Sequence, residues 1–430
     1  MMTGEELDGL KPFQARSIIE SLRKGSVPAD YVPFFTVGRD NWIKFIEDDL
    51  ENYIAKGGAK VRFIRGDYGD GKTHFMSIIR HLALRQGFAV SFVVLTREVP
   101  IHKFEAVYQA IVRQLRGNFE GVGIRNLLNQ WLDGLEQQQA SPSPDYIANL
   151  GETLRDLPGM NVNFANAMIS LANNRFLPLL EGETKDERNA NREIIFHWFE
   201  AGKVAKRELK PFGIFEVVNK ANSKQMLNSL NTFLRYLGHQ GLVLLLDELE
   251  IVIAQSTSIR NAAYENVRLL IDNTEQAEYF HIFFAIIPDV LLSEKGFKSY
   301  DALWSRVRSV GEQKRLNYRG VLVDLHQTPL KAEELVSLGQ CLRHIHQIAY
   351  RWDAKAVVTD KILLDICQNQ KKMGLLSEVR LFVKQVIRLL DMTEQGEAPV
   401  ENLDLGEHIV ASQQEMEQEK LEQLQPSWDK

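Results

Sequence analysis

The chain has 430 residues, 44% apolar and 25% charged, a composition that excludes a disordered or low-complexity protein and provides for a large core divided into two or three subdomains. Its formal net charge of −6 excludes bulk electrostatic attraction to nucleic acid, so contact with DNA requires a local basic patch or a partner. Cys341 and Cys367 stand far apart without metal spacing, which excludes a disulfide framework or a zinc site. Met1 to Leu10 lacks a signal pattern, and no apolar run approaches the ~20 residues that span a bilayer. A cytoplasmic protein without membrane contact is expected.

In chain order, residues 1–34 read as a helical lead-in, in which Phe13 to Arg23 carries Ile18, Ile19 and Leu22 at helical spacing before Val27-Pro28 breaks the pattern. Residues 35–118 read as the first part of an α/β core. Phe35-Thr36-Val37-Gly38-Arg39-Asp40 leads into a helix with Trp42, Ile43, Phe45, Ile46 and Leu50 on its apolar side. Val61-Arg62-Phe63-Ile64 is a strand. It enters Gly66-Asp67-Tyr68-Gly69-Asp70-Gly71-Lys72-Thr73, which fits G-x-x-x-x-G-K-[ST], and a helix follows with Phe75, Met76, Ile78 and Ile79 at helical spacing. Backbone groups of Gly66, Gly69, Asp70, Gly71 and His74 would cradle phosphate at the positive end of that helix. Lys72 would reach the β- and γ-phosphates, and the Thr73 hydroxyl would coordinate Mg²⁺. The pattern implies a nucleotide phosphate site.

Ala89 to Leu95 is the next strand, completing a β-α-β unit with a right-handed crossover. A helical insertion is expected over 119–236. Glu120 to Gln139 is amphipathic, Ala140 to Pro144 is a Ser/Pro break, and Met160 to Arg235 is a helical array with Trp198 and Phe199 as core aromatics. Partner contact or regulation is its expected role.

Residues 237–328 resume the core. Gly241 to Leu246 is an apolar run ending in Asp247 and Glu248, as expected of a strand buried in a parallel sheet whose carboxyl end faces the ligand. Asp247 is assigned to Mg²⁺ and Glu248 to polarising the attacking water. Arg260 to Asp272 reads as a helix and His281 to Ile287 as a strand. Asp289 follows as a doubtful phosphate sensor, better read as an N-cap for Val290 onward. Arg306 and Arg308 end the next helix, and Val321 to Leu325 supplies a fifth strand. Arg306, Arg308, Lys314, Arg315 and Arg319, interleaved with Trp304 and Tyr318, are a candidate DNA patch or a solvated helix and loop.

Residues 329–393 read as a helical lid, with Glu333-Glu334 in the first turn complementing the helix dipole. Ser377-Glu378-Val379-Arg380 opens its last helix, where Arg380 is either a nucleotide-reaching arginine or a surface one. Residues 394–430 form a polar, Glu/Gln-rich tail.

Five segments in this order, A-R-S-I-I-E-S-L-R-K-G-S-V-P from Ala15, V-G-R-D from Val37, F-I-R-G-D-Y-G-D-G-K-T-H-F from Phe63, L-T-R-E-V-P from Leu95 and L-L-L-D-E-L-E from Leu244, make nearly the whole chain resemble the BREX-type ATP-binding family of bacterial anti-phage defence. In size it is similar to the shorter, stand-alone members, and related ATPases accompany Shango-type systems. The resemblance implies a P-loop NTPase of AAA+/ORC-like α/β fold, a parallel sheet flanked by helices, hydrolysing ATP with Mg²⁺ in a defence complex acting on DNA. It carries Lys72, Thr73, Asp247 and Glu248 into the roles above. By similarity to AAA+-type proteins, Val37, Gly38 and Arg39 would hold the adenine, Arg306 or Arg308 would be the arginine finger of a homo-oligomer, and Arg380 would be the lid arginine. A helicase, a TerB-like protein or BREX components are the implied partners. The rival expectation is a nucleotide-gated switch or scaffold with little hydrolysis.

Overall fold

The structure, a computed structural model, describes residues 7, 9–138, 142–273, 277–311, 316–375 and 378–396. Five strands, β1 (Ala59–Arg65), β2 (Ala89–Val94), β3 (Leu242–Asp247), β4 (Phe280–Ile286) and β5 (Leu322–Asp324), form one sheet in the order β2-β3-β4-β1-β5. β2 pairs parallel to β3, with Ala89 opposite Leu242 and Val94 opposite Asp247, and β3 pairs parallel to β4. Every residue of β3 and β4 is buried, as continuous apolar runs dictate for strands covered on both faces. From β1 the chain crosses to the far edge at β2, returns strand by strand to β4, and then places β5 on the other side of β1. Strand order thus reverses at β1, and the carboxyl end of a strand at such a reversal is where open α/β sheets bind ligands.

The chain divides into two compact units, each built from segments distant in sequence. One comprises residues 1–44, 64–81 and 323–430 so far as they are described. Its helix Pro12–Arg23 buries Ala15, Ile18, Ile19 and Leu22 and packs on the helices Ala332–Tyr350 and Val379–Glu394. Arg23 joins Asp391 through two hydrogen bonds, of 2.9 and 2.7 Å, and Asp391 also meets the buried His346 ring at 3.0 Å.

The other unit comprises residues 45–63 and 82–322 so far as they are described. It carries β2, β3, β4 and the inserted helices Ile124–Gln138, Pro144–Asp156, Val162–Phe176 and Lys185–Phe199, after which Ser223–Tyr236 leads back to β3. Ser143, Asn161 and Thr184 cap three of these helices through their side chains. Trp198 and Phe199 are buried with Phe164 in edge-on ring contacts, so the expected core aromatics do pack the insertion.

Three local expectations are corrected. The first inserted helix starts at Ile124 and not at Glu120, because Gly121 and Gly123 turn the chain with positive φ. Asp289 lies in the first turn of the short helix Pro288–Leu292, whose N-cap is Ile287, so it is not the cap. Arg306 stands within the helix Asp301–Gly311 and does not end it. Lys314, Arg315, Ser377 and the tail from 397 lie outside the described residues, as does the Arg308 side chain.

Candidate functional site

The loop between β1 and the helix Lys72–Arg85 folds as its glycines require. Gly69 and Gly71 have φ of +95° and +87°, values that an L side chain resists. The loop is then braced from within. Asp70 accepts the Asp67 N–H on its carboxylate at 2.7 Å, and the Lys72 ammonium donates to the Gly66 and Asp67 carbonyls at 3.0 and 3.3 Å while lying 5.1 Å from the Tyr68 ring centroid. Thr73 follows in the first turn of the helix.

Arg39 holds the loop from outside. Its guanidinium donates to the Asp70 carbonyl at 3.0 Å and to the Leu325 and Thr328 carbonyls at 3.2 and 2.9 Å. Burial pulls its pKa down to about 10, so it stays charged at neutral pH. The preceding Gly38 is pressed so closely that an added Cβ would lie 2.7 Å from the Glu334 carboxyl and 2.8 Å from Leu330. The Val37-Gly38-Arg39 turn thus ties the loop to the helix Ala332–Tyr350 through its arginine and glycine.

His74 meets Thr36 at 3.4 Å and packs against the Phe35 ring. Burial, reinforced by Arg39, lowers its pKa to about 4 and keeps the ring neutral. Arg380 donates its backbone N–H to the Gly69 carbonyl at 3.3 Å, while its guanidinium packs at Gly25, where an added Cβ would meet it at 2.3 Å. The helix Val379–Glu394 therefore touches the loop through main chain at this residue.

Sequence reasoning missed His326. Its Nδ1 lies 3.1 Å from Asp67 and 3.6 Å from Asp70. The ring thus sits between two carboxylates, and burial pushes the Asp70 pKa up. The available signal was its place just past β5, the strand flanking β1. Arg65 and Asp324 form a nearby ion pair at the ends of β1 and β5.

In the second unit, β3 ends in the buried Asp247, whose Oδ1 accepts the Glu248 N–H at 3.0 Å. Glu248 has φ 64° and ψ 37°, a left-handed conformation that is costly for this residue type and recurs at functional sites. Arg306 forms a two-pronged ion pair with Asp272, one contact of which is 2.9 Å. Asp272 also pairs with Arg268 at 2.6 Å, so Arg306 is engaged within its own chain. Cys341 and Cys367 are free thiols, and among the described residues no helix is long and apolar enough to cross a membrane.

A family model described as BREX system ATP-binding protein BrxC/D matches residues 10–408. No curated protein and no solved structure matches the chain.

Proposed function

Since the chain belongs to the BREX system ATP-binding protein family BrxC/D, we propose that this ATP-binding protein is an AAA+/ORC-like ATPase that turns over ATP to drive or gate an anti-phage defence complex acting on DNA. The observation that carries this reading is a braced phosphate loop at the carboxyl end of β1, where strand order reverses. Lys72 and the loop's backbone N–H groups bind the phosphates. Thr73 and Asp247 would hold Mg²⁺, since hydroxyl and carboxylate oxygens suit this hard cation, and it would supply charge that offsets the phosphates. Glu248 accepts a proton from the attacking water. The turn at Val37, Gly38 and Arg39 borders the adenine, Arg380 closes the lid over the loop, and Arg306 or Arg308 reaches a neighbouring subunit or a defence partner such as a helicase or TerB-like protein.

The second reading, a nucleotide-gated switch with slow turnover, is favoured by the pairing of Arg306 with Asp272, which withholds one finger candidate from any neighbour. ATP hydrolysis by the purified chain, compared with Lys72→Ala and Glu248→Gln with and without double-stranded DNA, separates the two. The ATPase reading expects turnover by the parent protein and a fall of about 100-fold or more in Glu248→Gln with ATP binding kept. Binding without turnover in the parent protein, DNA present or not, would transfer the assignment to the switch.

A further inference from the structure

A chain of net charge −6 can hold nucleic acid only through a local basic surface. Two arginines of the patch read from the sequence are engaged within the chain, Arg306 by Asp272 and Arg319 by Asp48, the latter at 2.8 Å. A different stretch keeps its cations available. Between the helices Lys185–Phe199 and Ser223–Tyr236, the side chains of Lys203, Lys206, Arg207 and Lys210 are exposed, and none of the four meets a carboxylate among the described residues. The two carboxylates from Lys203 to Val217 are taken up locally, Glu208 by the Ala205 N–H at 2.9 Å and Glu216 by the Asn222 amide at 3.1 Å.

The backbone beneath these cations is held in place although much of it is irregular. Leu209 and Ile214 are fully buried. Asn163, Asn166 and Ser170, three and four residues apart on one face of the helix Val162–Phe176, grip the segment in turn. Asn163 Oδ1 accepts the Phe215 N–H at 2.8 Å, the Asn166 amide donates to the Gly213 carbonyl at 2.8 Å, and the Ser170 hydroxyl donates to the Phe212 carbonyl at 3.1 Å. Trp198 Nε1 adds a bond to the Glu216 carbonyl at 2.7 Å. Phe215 is thus fixed through its main chain while the residue stays 65% exposed. An anchored loop that presents four cations and a ring loses little freedom when a polyanion docks on it.

We infer that the stretch from Lys203 to Phe215 is a contact surface for single-stranded nucleic acid, with its cations on phosphates and Phe215 stacked on an unpaired base. A duplex, whose bases are already stacked on one another, has no such face to offer the ring. This deepens the reading of a complex acting on DNA and rests on it for the kind of polyanion, but it does not depend on ATP turnover.

Fluorescence anisotropy with the full chain, no nucleotide present, tests this with labelled oligothymidylate and oligouridylate of about 20 nucleotides, a duplex of the same length, and polyglutamate as the mimic of an acidic protein. A single strand should bind more tightly than duplex or polyglutamate, with an affinity that falls as salt rises, and the two oligonucleotides tell DNA from RNA. Joint replacement of Lys206, Arg207 and Lys210 by Gln should weaken that binding by about tenfold or more. Phe215→Ala should weaken it by about fivefold or more. Neither change should lower the melting temperature, since the replaced side chains are exposed. No single-strand binding, parent-like binding in either variant, or duplex or polyglutamate bound as tightly as the single strands would overturn the inference. ATP hydrolysis without oligonucleotide binding sinks this surface alone, whereas oligonucleotide binding without hydrolysis supports it and sinks only the ATPase reading.

Discussion

Among the described residues, Arg39 directs its guanidinium to main-chain oxygens: Asp70 within the glycine-rich loop, and Leu325 and Thr328 some 286 and 289 positions along the chain. A charged donor shared among buried carbonyls is worth more than its contacts with water, and its removal leaves those carbonyls unmatched. Arg39→Ala should therefore cost about 2–3 kcal/mol of stability and weaken ATP binding, because the Asp70 carbonyl is no longer anchored. Arg39→Lys should recover only a fraction, since an ammonium is a point charge and cannot span a fork of three acceptors. Urea unfolding together with ATP titration checks both variants. Parent-like ATP affinity in Arg39→Ala would remove the strap from the argument. The V-G-R-D box was legible as a distinct turn before the first strand, but not what its arginine touches, because two of the three acceptors lie far away in sequence. His326 escaped notice for the same reason: nothing near it in the chain marks it as a neighbour of Asp67 and Asp70.

Strand β4 shows what an element can conceal. Its apolar run was readable as a buried strand, yet it carries His281 fully buried, with neither ring nitrogen hydrogen-bonded among the described residues. Burial, with Arg62 and Lys60 close by, holds the His281 pKa well below its usual value. The folded protein keeps the ring neutral, whereas the unfolded chain takes up a proton below about pH 6.5. Unfolding then binds protons, so stability contributed by this group is present above pH 6.5 and is lost as pH falls below it. Between about pH 7 and about pH 5 the loss from His281 alone should reach about 2 kcal/mol. His281→Leu should flatten this acid limb in urea unfolding at the two pH values, and an unchanged limb would refute the assignment. His74, with a pKa near 4, works in the same direction. The helical insertion was similarly readable as amphipathic helices.

At the scale of the whole molecule, the loop, the Arg39 turn and the helices Ala332–Tyr350 and Val379–Glu394 belong to one compact unit assembled from residues 1–44, 64–81 and 323–430 so far as they are described. A nucleotide bound by this folded unit but not by the unfolded chain must raise stability by mass action, by about 2.7 kcal/mol at a hundredfold excess over Kd. Thermal unfolding with Mg²⁺ and rising ATP should show this gain in the parent protein and lose it in Lys72→Ala; a persistent shift in the variant would place the nucleotide elsewhere. The sequence by itself determined the parts that rest on short-range pattern. These are the glycine-rich loop between strand and helix, the apolar run ending in Asp247 and Glu248, the helices between β2 and β3 and after β5, and through five ordered segments the family. Periodicity, glycine placement and helix dipoles act over a few residues, so they can be read along the chain. Only the tertiary structure decided the strand order that reverses at β1, the left-handed backbone of Glu248, the three carbonyls under Arg39 and the ion pair that engages Arg306. Each depends on which distant segments meet, and that is settled by burial and packing of the assembled chain.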